Sequence, residues 1–215
     1  MASSNSAWTI PLSASSTNDL IKIDKPIPTP GPNQVLVKIT AAALNFRDVL
    51  ISSRSPYYPG NHKESLVPGS DGAGIIHKTG PSSSWTSKEG TPVVLHPSTW
   101  FDGDISNLRT DEVFGGCDID GTLQSWMVLD DKWVIESPKG WSAVDASTLI
   151  TAGTTAWAAI RGGLDAKLDG GIGAWSGEWK QKRLEGKTVL TQGTGGVSCF
   201  AIQVSPYPFL RVLSL

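Results

Sequence analysis

The run Thr188-Val-Leu-Thr-Gln192 leading into Gly193-Thr-Gly-Gly-Val-Ser198 constrains this chain more than any other stretch. An apolar, β-branched segment that enters a glycine turn and then an apolar helix is the opening of a parallel strand-turn-helix unit. Glycines in such a turn let backbone N–H groups come close to a phosphate, and the helix N-terminus adds unpaired donors and the positive end of its dipole. Gly193, Thr194, Gly195, Gly196, Val197 and Ser198 are therefore candidate residues for binding a dinucleotide pyrophosphate. Ser198 stands where the Gly-x-Gly-x-x-Gly spacing asks for its last glycine, so an ordinary strand-turn-helix stays open on this motif alone.

The rest of the chain excludes several function classes. With 215 residues it can bury a sizeable core in one or two domains. The net charge is −2 and the Lys and Arg residues are scattered, so a nucleic-acid partner lacks its basic stripe. Cys117 and Cys199 are isolated, which favours a reducing compartment, and cytoplasm is the expected location. Residues 1–16 are rich in Ser with no apolar targeting segment, and no run reaches membrane-spanning length, so no membrane partner is expected.

Lys25 to Asn33 carries four prolines and a glycine ahead of the alternating run Gln34-Val-Leu-Val-Lys-Ile-Thr40, which reads as a strand. Further strands are expected at 72–78, 91–96, 122–129 and 132–135, separated by Gly, Pro, Asp and Ser clusters, with a short helix at 45–52. Short punctuated strands over the first 140 residues suggest a barrel or sandwich. Past Pro138 the period changes: Asp145 is a plausible N-cap, and Ala146, Leu149, Ile150, Gly153, Trp157 and Ile160 share one helical face that Gly162 and Gly163 end. Residues 163–187 suit a long surface connection whose charges (Glu178, Lys180, Lys182, Arg183, Glu185) form a solvated face. The strand 188–192 and a helix from Val197 follow, until Pro206 and Pro208 forbid continuation.

Three look-alike motifs fail. Gly186-Lys187-Thr188 resembles the end of a phosphate loop, but its first glycine would be Gln181. Asp102-Gly-Asp104 opens like a calcium loop, yet Asn107 and Val113 fill the positions of the turn glycine and the final carboxylate. Gly69-Ser-Asp-Gly72 lacks the spacing of a hydrolase nucleophile turn.

Val35 to Leu50, Pro68 to Gly74, Gly121 to Val128, Thr151 to Trp157 and Thr188 to Gln203 occur in the order seen in the medium-chain dehydrogenase/reductase superfamily. Over roughly residues 20–203 the chain resembles its zinc-independent branch, similar to quinone oxidoreductases and fungal zinc-type alcohol dehydrogenase-like proteins. The resemblance implies a mixed α and β fold: a GroES-like β-barrel domain over 1–140, then the incomplete start of a Rossmann domain over 141–215 whose tail diverges from about 204. It also implies substrate and nicotinamide meeting in the cleft between the two domains. Zinc members supply a Cys, a His-Glu pair and a second Cys where this chain has Asn45, Ser70-Asp71 and Thr151. An amide and two hydroxyls are poor zinc ligands, and Cys117 alone cannot build the structural zinc lobe, so the expectation is a site without zinc.

By the same resemblance Asn45 lies beside nicotinamide and substrate carbonyl, where its N–H meets oxygen as charge develops. The alternative is a buried amide serving turn backbone. Thr151 faces the cleft and Thr155 the nicotinamide ring, although hydroxyls on a first helical turn, Thr154 included, also bond local backbone. Asp48 reads as structural support, while Arg47 is either its ion-pair partner or free for another task. Tyr57 and Tyr58 pack or line an entrance, with packing the stronger reading, and His62, His77 and His96 have no metal spacing.

The activity implied by the resemblance for a complete parent is hydride transfer from a nicotinamide cofactor, NADPH favoured and NAD the alternative, to a small-molecule quinone, enone or carbonyl, with a homodimer as the partner state open to that parent. The residues after Gln203 differ from the family's second strand and helix, which suggests a truncated or altered product, with a first Rossmann strand lacking neighbours and impaired activity. A non-catalytic GroES-like fragment or partner-binding module is the alternative.

Overall fold

The computed structural model describes residues 4–58, 62–98, 105–107, 109–164, 187–204 and 210–214. The chain divides into two compact units, Met1–Phe101 with Ser106–Ile150, and Asp102–Ile105 with Thr151–Leu215. Residues 141–150, grouped with the second domain from sequence, lie in the first unit.

The first unit opens with a hairpin of β1 (Asn5–Thr9) and β2 (Ile21–Lys25). Then come β3 (Gln34–Ala43), α1 (Phe46–Ser52), β4 (Asp71–Thr79), β5 (Pro92–Leu95), β6 (Trp126–Asp130), β7 (Val134–Glu136) and α2 (Ala143–Ser147). The five later strands form one antiparallel sheet in the order β6-β3-β4-β5-β7. Each strand predicted from alternation is present, with ends shifted by a few residues. The pair β1 and β2 was not predicted, because the inward positions of β1 are Asn5, Ala7 and Thr9 while Trp8 faces out, which inverts the usual apolar signal.

Alternation along the strands separates two faces. Val93 and Leu95 join Val35, Val37, Ile76 and Phe114 in the main core, whereas Val94 and Ala73 face the other way against Ala146 and Ile150. The edge of Trp133 meets the ring of Phe114 at 5.5 Å between centroids, closing that core. Two register shifts in β3, at Leu36/Val37 and Ile39/Ala41, mark bulges, which bend a strand before its end. Helix α1 follows that end after two residues.

The single helix expected over 145–160 is broken. Ser142, not Asp145, is the N-cap of α2: its hydroxyl accepts from the Asp145 N–H at 3.1 Å while Asp145 occupies the first turn. Leu149–Gly153 is a π-helical turn, and α3 (Thr154–Leu164) continues through Gly162 and Gly163 instead of ending there. Ala146 and Ile150 before the break pack with Ala73 and Val94, whereas Ala156 and Ile160 after it pack with Ala201, so the apolar spacing runs through a change of partner that periodicity alone does not register.

In the second unit β8 (Lys187–Thr191) runs into α4 (Gly196–Val204) and then β9 (Leu210–Ser214), which pairs with β8 in parallel. This corrects the expectation of a lone first strand. Leu-Arg-Val-Leu-Ser is itself a good strand sequence, and pairing satisfies one row of β8 backbone groups that would otherwise lack partners. Ala156 and Ile160 of α3 pack on Ala201 of α4. Of the charged connection expected at 163–187, residues 163 and 164 belong to α3 and Lys187 opens β8. Its residues 165–186, residues 102–104 of the calcium-like run, and the prolines 206 and 208 lie outside the described residues. Among the described residues no helix is long and apolar enough to cross a membrane.

Candidate functional site

The amphipathic logic of α1 is reversed. Phe46 is 76% exposed and Leu44, just before the helix, 73%, while Asp48 is only 4% exposed. A segment that buries its carboxylate and shows its aromatic ring breaks the local rule for a soluble helix, and such breaks concentrate at functional sites.

Asn45 is the N-cap of α1 and half-buried. Its backbone N–H donates to Asp48 Oδ2 at 2.8 Å, the return arm of a capping box. Its side-chain Nδ2 donates to Asp71 Oδ2 at 3.0 Å and lies 3.5 Å from Ser70 Oγ. Ser70 and Asp71 are both 1% exposed. The three positions compared with zinc ligands in this unit thus meet one another directly, through an amide and a carboxylate.

Burial pushes the Asp48 carboxyl above the ordinary carboxylate range, with the Asp71 charge adding to it, against the lowering by the Asn45 N–H and Arg47. Its Oδ1 is buried without a partner among the described residues. Among the described ion pairs none joins Arg47 to Asp48. Arg47 Nη2 donates to the Phe114 carbonyl at 2.7 Å and Nη1 lies 3.5 Å from the Tyr58 hydroxyl, with the guanidinium 6.0 Å from that ring. Arg47 therefore ties α1 to the 114 loop. The tyrosines split: Tyr58 packs against the Ile10, Ile51 and Leu66 cluster, while Tyr57 is 87% exposed.

The Asp71 segment is held from behind by Thr122, whose Oγ1 donates to the Asp71 carbonyl at 2.9 Å. Glycine at 69 and 72 is a spatial requirement, because a Cβ there would sit 2.6 and 2.7 Å from the Thr122 side chain. Sequence reasoning treated Ser70 and Asp71 only as failed metal ligands and missed Thr122. An acid enclosed by glycines at the mouth of an apolar strand was the available signal.

In the second unit Thr151 is half-buried in the π-helical turn, and its carbonyl accepts from Thr155 Oγ1 at 2.6 Å. Thr155 so makes the local i−4 backbone bond of a helical hydroxyl. The glycine turn is exposed from Gln192 to Val197. Gly193 has φ +75°, a conformation that glycine adopts without strain. Gly195 has nothing within 4 Å of a would-be Cβ, so no described neighbour requires glycine there, whereas a Cβ on Gly196 would stand 3.1 Å from Ala152 Cβ. That combination, an open glycine followed by a close-packed one, fits a turn that admits a pyrophosphate while its helix packs tightly. Ser198 Oγ donates back to the Gln192 carbonyl at 3.0 Å and closes the turn; Thr194 and Val197 are exposed.

The donor set around Asn45 among the described residues does not fit a catalytic zinc: an amide N–H is aimed at a carboxylate, and the bonds made there bring in no thiolate or imidazole. Among the described residues no group of three His, Cys, Asp or Glu is placed to hold a metal. His62 and His96 are both pushed below the usual imidazole value by burial, and His77 stacks edge-on with Trp126 at 4.7 Å.

Residues 31–139 match the family model of the alcohol dehydrogenase GroES-like domain. A zinc-type alcohol dehydrogenase-like protein of Schizosaccharomyces pombe is 35% identical over 172 residues, covering 80% of this chain and 44% of that protein. A chloroplastic quinone oxidoreductase of Triphysaria versicolor is 28% identical, covering 85% of this chain and 46% of its own length. The crystal structure of an NAD-dependent alcohol dehydrogenase superposes with a TM-score of 0.78 at 24% identity, over 97% of this chain and 57% of that one. The chain thus spans less than half the length of these two curated relatives.

Proposed function

From the premise that this chain belongs to the medium-chain dehydrogenase/reductase superfamily, through its alcohol dehydrogenase GroES-like domain, we propose that it derives from a nicotinamide-dependent oxidoreductase that reduces a quinone, enone or other carbonyl without a catalytic metal. The observation that carries the reading is the exposed glycine turn between β8 and α4, with open space at Gly195, on a strand that β9 flanks in parallel. Backbone N–H groups of the turn and the N-terminus of α4 are the proposed seat of the cofactor pyrophosphate. A bound reduced nicotinamide supplies the hydride.

The chain's own residues bind and orient. Asn45 is the proposed donor to the substrate oxygen: one N–H is committed to Asp71, while the other, 3.5 Å from Ser70 Oγ, is loosely held and free to exchange partners. Thr151 and Thr155 are the proposed nicotinamide contacts, with the Thr155 hydroxyl held at the Thr151 carbonyl until a ligand competes for it. NADPH is the favoured cofactor and NADH the alternative.

Titration of the purified chain with NADPH, following nicotinamide fluorescence, tests the reading, with NADH in parallel and a quinone added as acceptor. A saturable micromolar signal, unchanged by prior treatment with EDTA, is expected. Lack of any saturable signal with either nucleotide sinks it and favours the second reading, a non-catalytic barrel module. The observation behind that second reading is the two-stranded sheet of the nucleotide unit, where Leu190 is 61% exposed.

A further inference from the structure

We infer that Asp71 is a positioning residue: its carboxylate selects which face of the Asn45 amide is presented as a hydrogen-bond donor. This rests on the proposed role of Asn45 and extends it to a residue that acts through Asn45.

The terminal torsion of an asparagine is soft, and its amide has two nearly isosteric faces of opposite polarity. In the capping box the oxygen face of Asn45 meets the Asp48 backbone N–H, and Asp71 is the group that engages the opposite, Nδ2 face. An ionised carboxylate only accepts, so Asp71 Oδ2 at 3.0 Å admits Nδ2 and repels the amide oxygen. The flipped amide would set two acceptors against each other at that distance. With Nδ2 fixed, the second N–H is directed past Ser70 Oγ and becomes the donor available to an incoming oxygen.

The selection works only if Asp71 cannot follow the amide. Asp71 is 1% exposed, its backbone pairs with Ala43 at the start of β4, and Thr122 Oγ1 holds its carbonyl at 2.9 Å. Thr122 is in turn wedged against positions 69 and 72, where nothing larger than glycine fits. A rigid chain of contacts thus runs from Thr122 through Asp71 to Asn45. Ser70-Asp71 stands where the resemblance places a metal-binding pair, yet here the acid holds an amide.

The test uses the full chain carrying Asp71→Asn, Thr122→Val, or the exchanged pair N45D/D71N. The side-chain amide of Asn45 is observed by ¹⁵N-resolved hydrogen exchange, assigned from its loss in Asn45→Asp. A charge-assisted bond predicts that one Asn45 side-chain proton exchanges about tenfold or more slowly than an exposed amide, and that Asp71→Asn abolishes the protection. Thr122→Val should reduce it partially, and if Asp71→Asn fails to fold, this variant decides alone. With NADPH and a quinone, Asp71→Asn should lower kcat about tenfold or more with KM changed less than about threefold. The exchanged pair restores an amide–carboxylate bond but leaves no donor at position 45, so its thermal midpoint should recover while kcat does not. Unchanged protection in Asp71→Asn, or in Thr122→Val where that variant decides, or wild-type kcat in the exchanged pair, overturns the inference. A chain that turns over no substrate defeats the oxidoreductase reading alone, since the exchange measurement still reports on Asp71.

Discussion

Gly121→Ala probes the packing behind the Asn45 site most directly. A Cβ at position 121 would lie 2.0 Å from the Gly69 carbonyl oxygen and 2.7 Å from that of Pro68, both backbone atoms that no side-chain rotation can move aside. Restoring ordinary contact requires the two segments to part by about 1.4 Å. That movement strains the bond from Gly121 N–H to the Val67 carbonyl at 2.7 Å and the bond from Thr122 N–H to the Gly69 carbonyl at 3.0 Å. Overpacking costs about 1–3 kcal/mol and each weakened bond about 1 kcal/mol, so a loss of about 3–5 kcal/mol is expected. Marginal domain stability makes this severe: the melting midpoint should fall by about 10 °C. Gly140→Ala is the matched control, since Gly140 has φ +81° with nothing within 4 Å of a Cβ and should lose only about 1 kcal/mol. Thermal and urea unfolding of the two variants side by side, followed by circular dichroism, makes the comparison. If Gly121→Ala proved no less stable than Gly140→Ala, the close backbone approach behind Ser70 and Asp71 would be refuted.

Three further outcomes are expected. Asn5→Ala should cost about 2–4 kcal/mol in urea unfolding, because the fully buried Asn5 pairs with both the N–H and the carbonyl of Trp126 and with Gln124, which are left unsatisfied. Asp48 holds its proton more tightly folded than unfolded, so its contribution is present below the ordinary carboxylate range and is lost as pH rises through the elevated folded value. Asp48→Asn keeps an acceptor for the Asn45 N–H and should be more stable than wild type at pH 7 but not at pH 4, a difference read from melting midpoints across pH. Gly195→Val, which meets no described neighbour, should shift stability by less than about 1 kcal/mol yet weaken NADPH binding about tenfold or more, as measured by the fluorescence titration.

Much of the fold was legible because it is local. Alternation over 34–40 predicts β3, Gly and Pro clusters predict where strands stop, and the glycine turn predicts the passage from β8 to α4. The misses have physical causes. β1 hides an inward face of Asn5, Ala7 and Thr9 that carries no apolar period, since its Asn is satisfied by β6 backbone rather than excluded from water. β9 departs from the family pattern yet has strand propensity of its own, and a parallel partner needs only backbone groups and extended residues.

At the candidate site the residue types were readable and their relations were not. Asn45, Asp48 and the glycine turn stand in the sequence as motifs with a chemistry. That Asn45 meets Asp71, 26 positions away, depends on β3 and β4 pairing in one register, with Ala43 opposite Asp71. A one-residue slip would turn every side chain to the other face, and nothing in the local pattern records the outcome. The same holds for the burial of Asp48 beneath an exposed Phe46, which inverts the rule that hydropathy applies to a lone helix. Which segments become strands, turns and helices is mostly written locally in the chain, since steric preference and periodicity act within a few residues. Which amide faces which carboxylate was decided by the tertiary structure, because hydrogen-bond direction and burial are properties of segments that meet only after the sheet has closed its register.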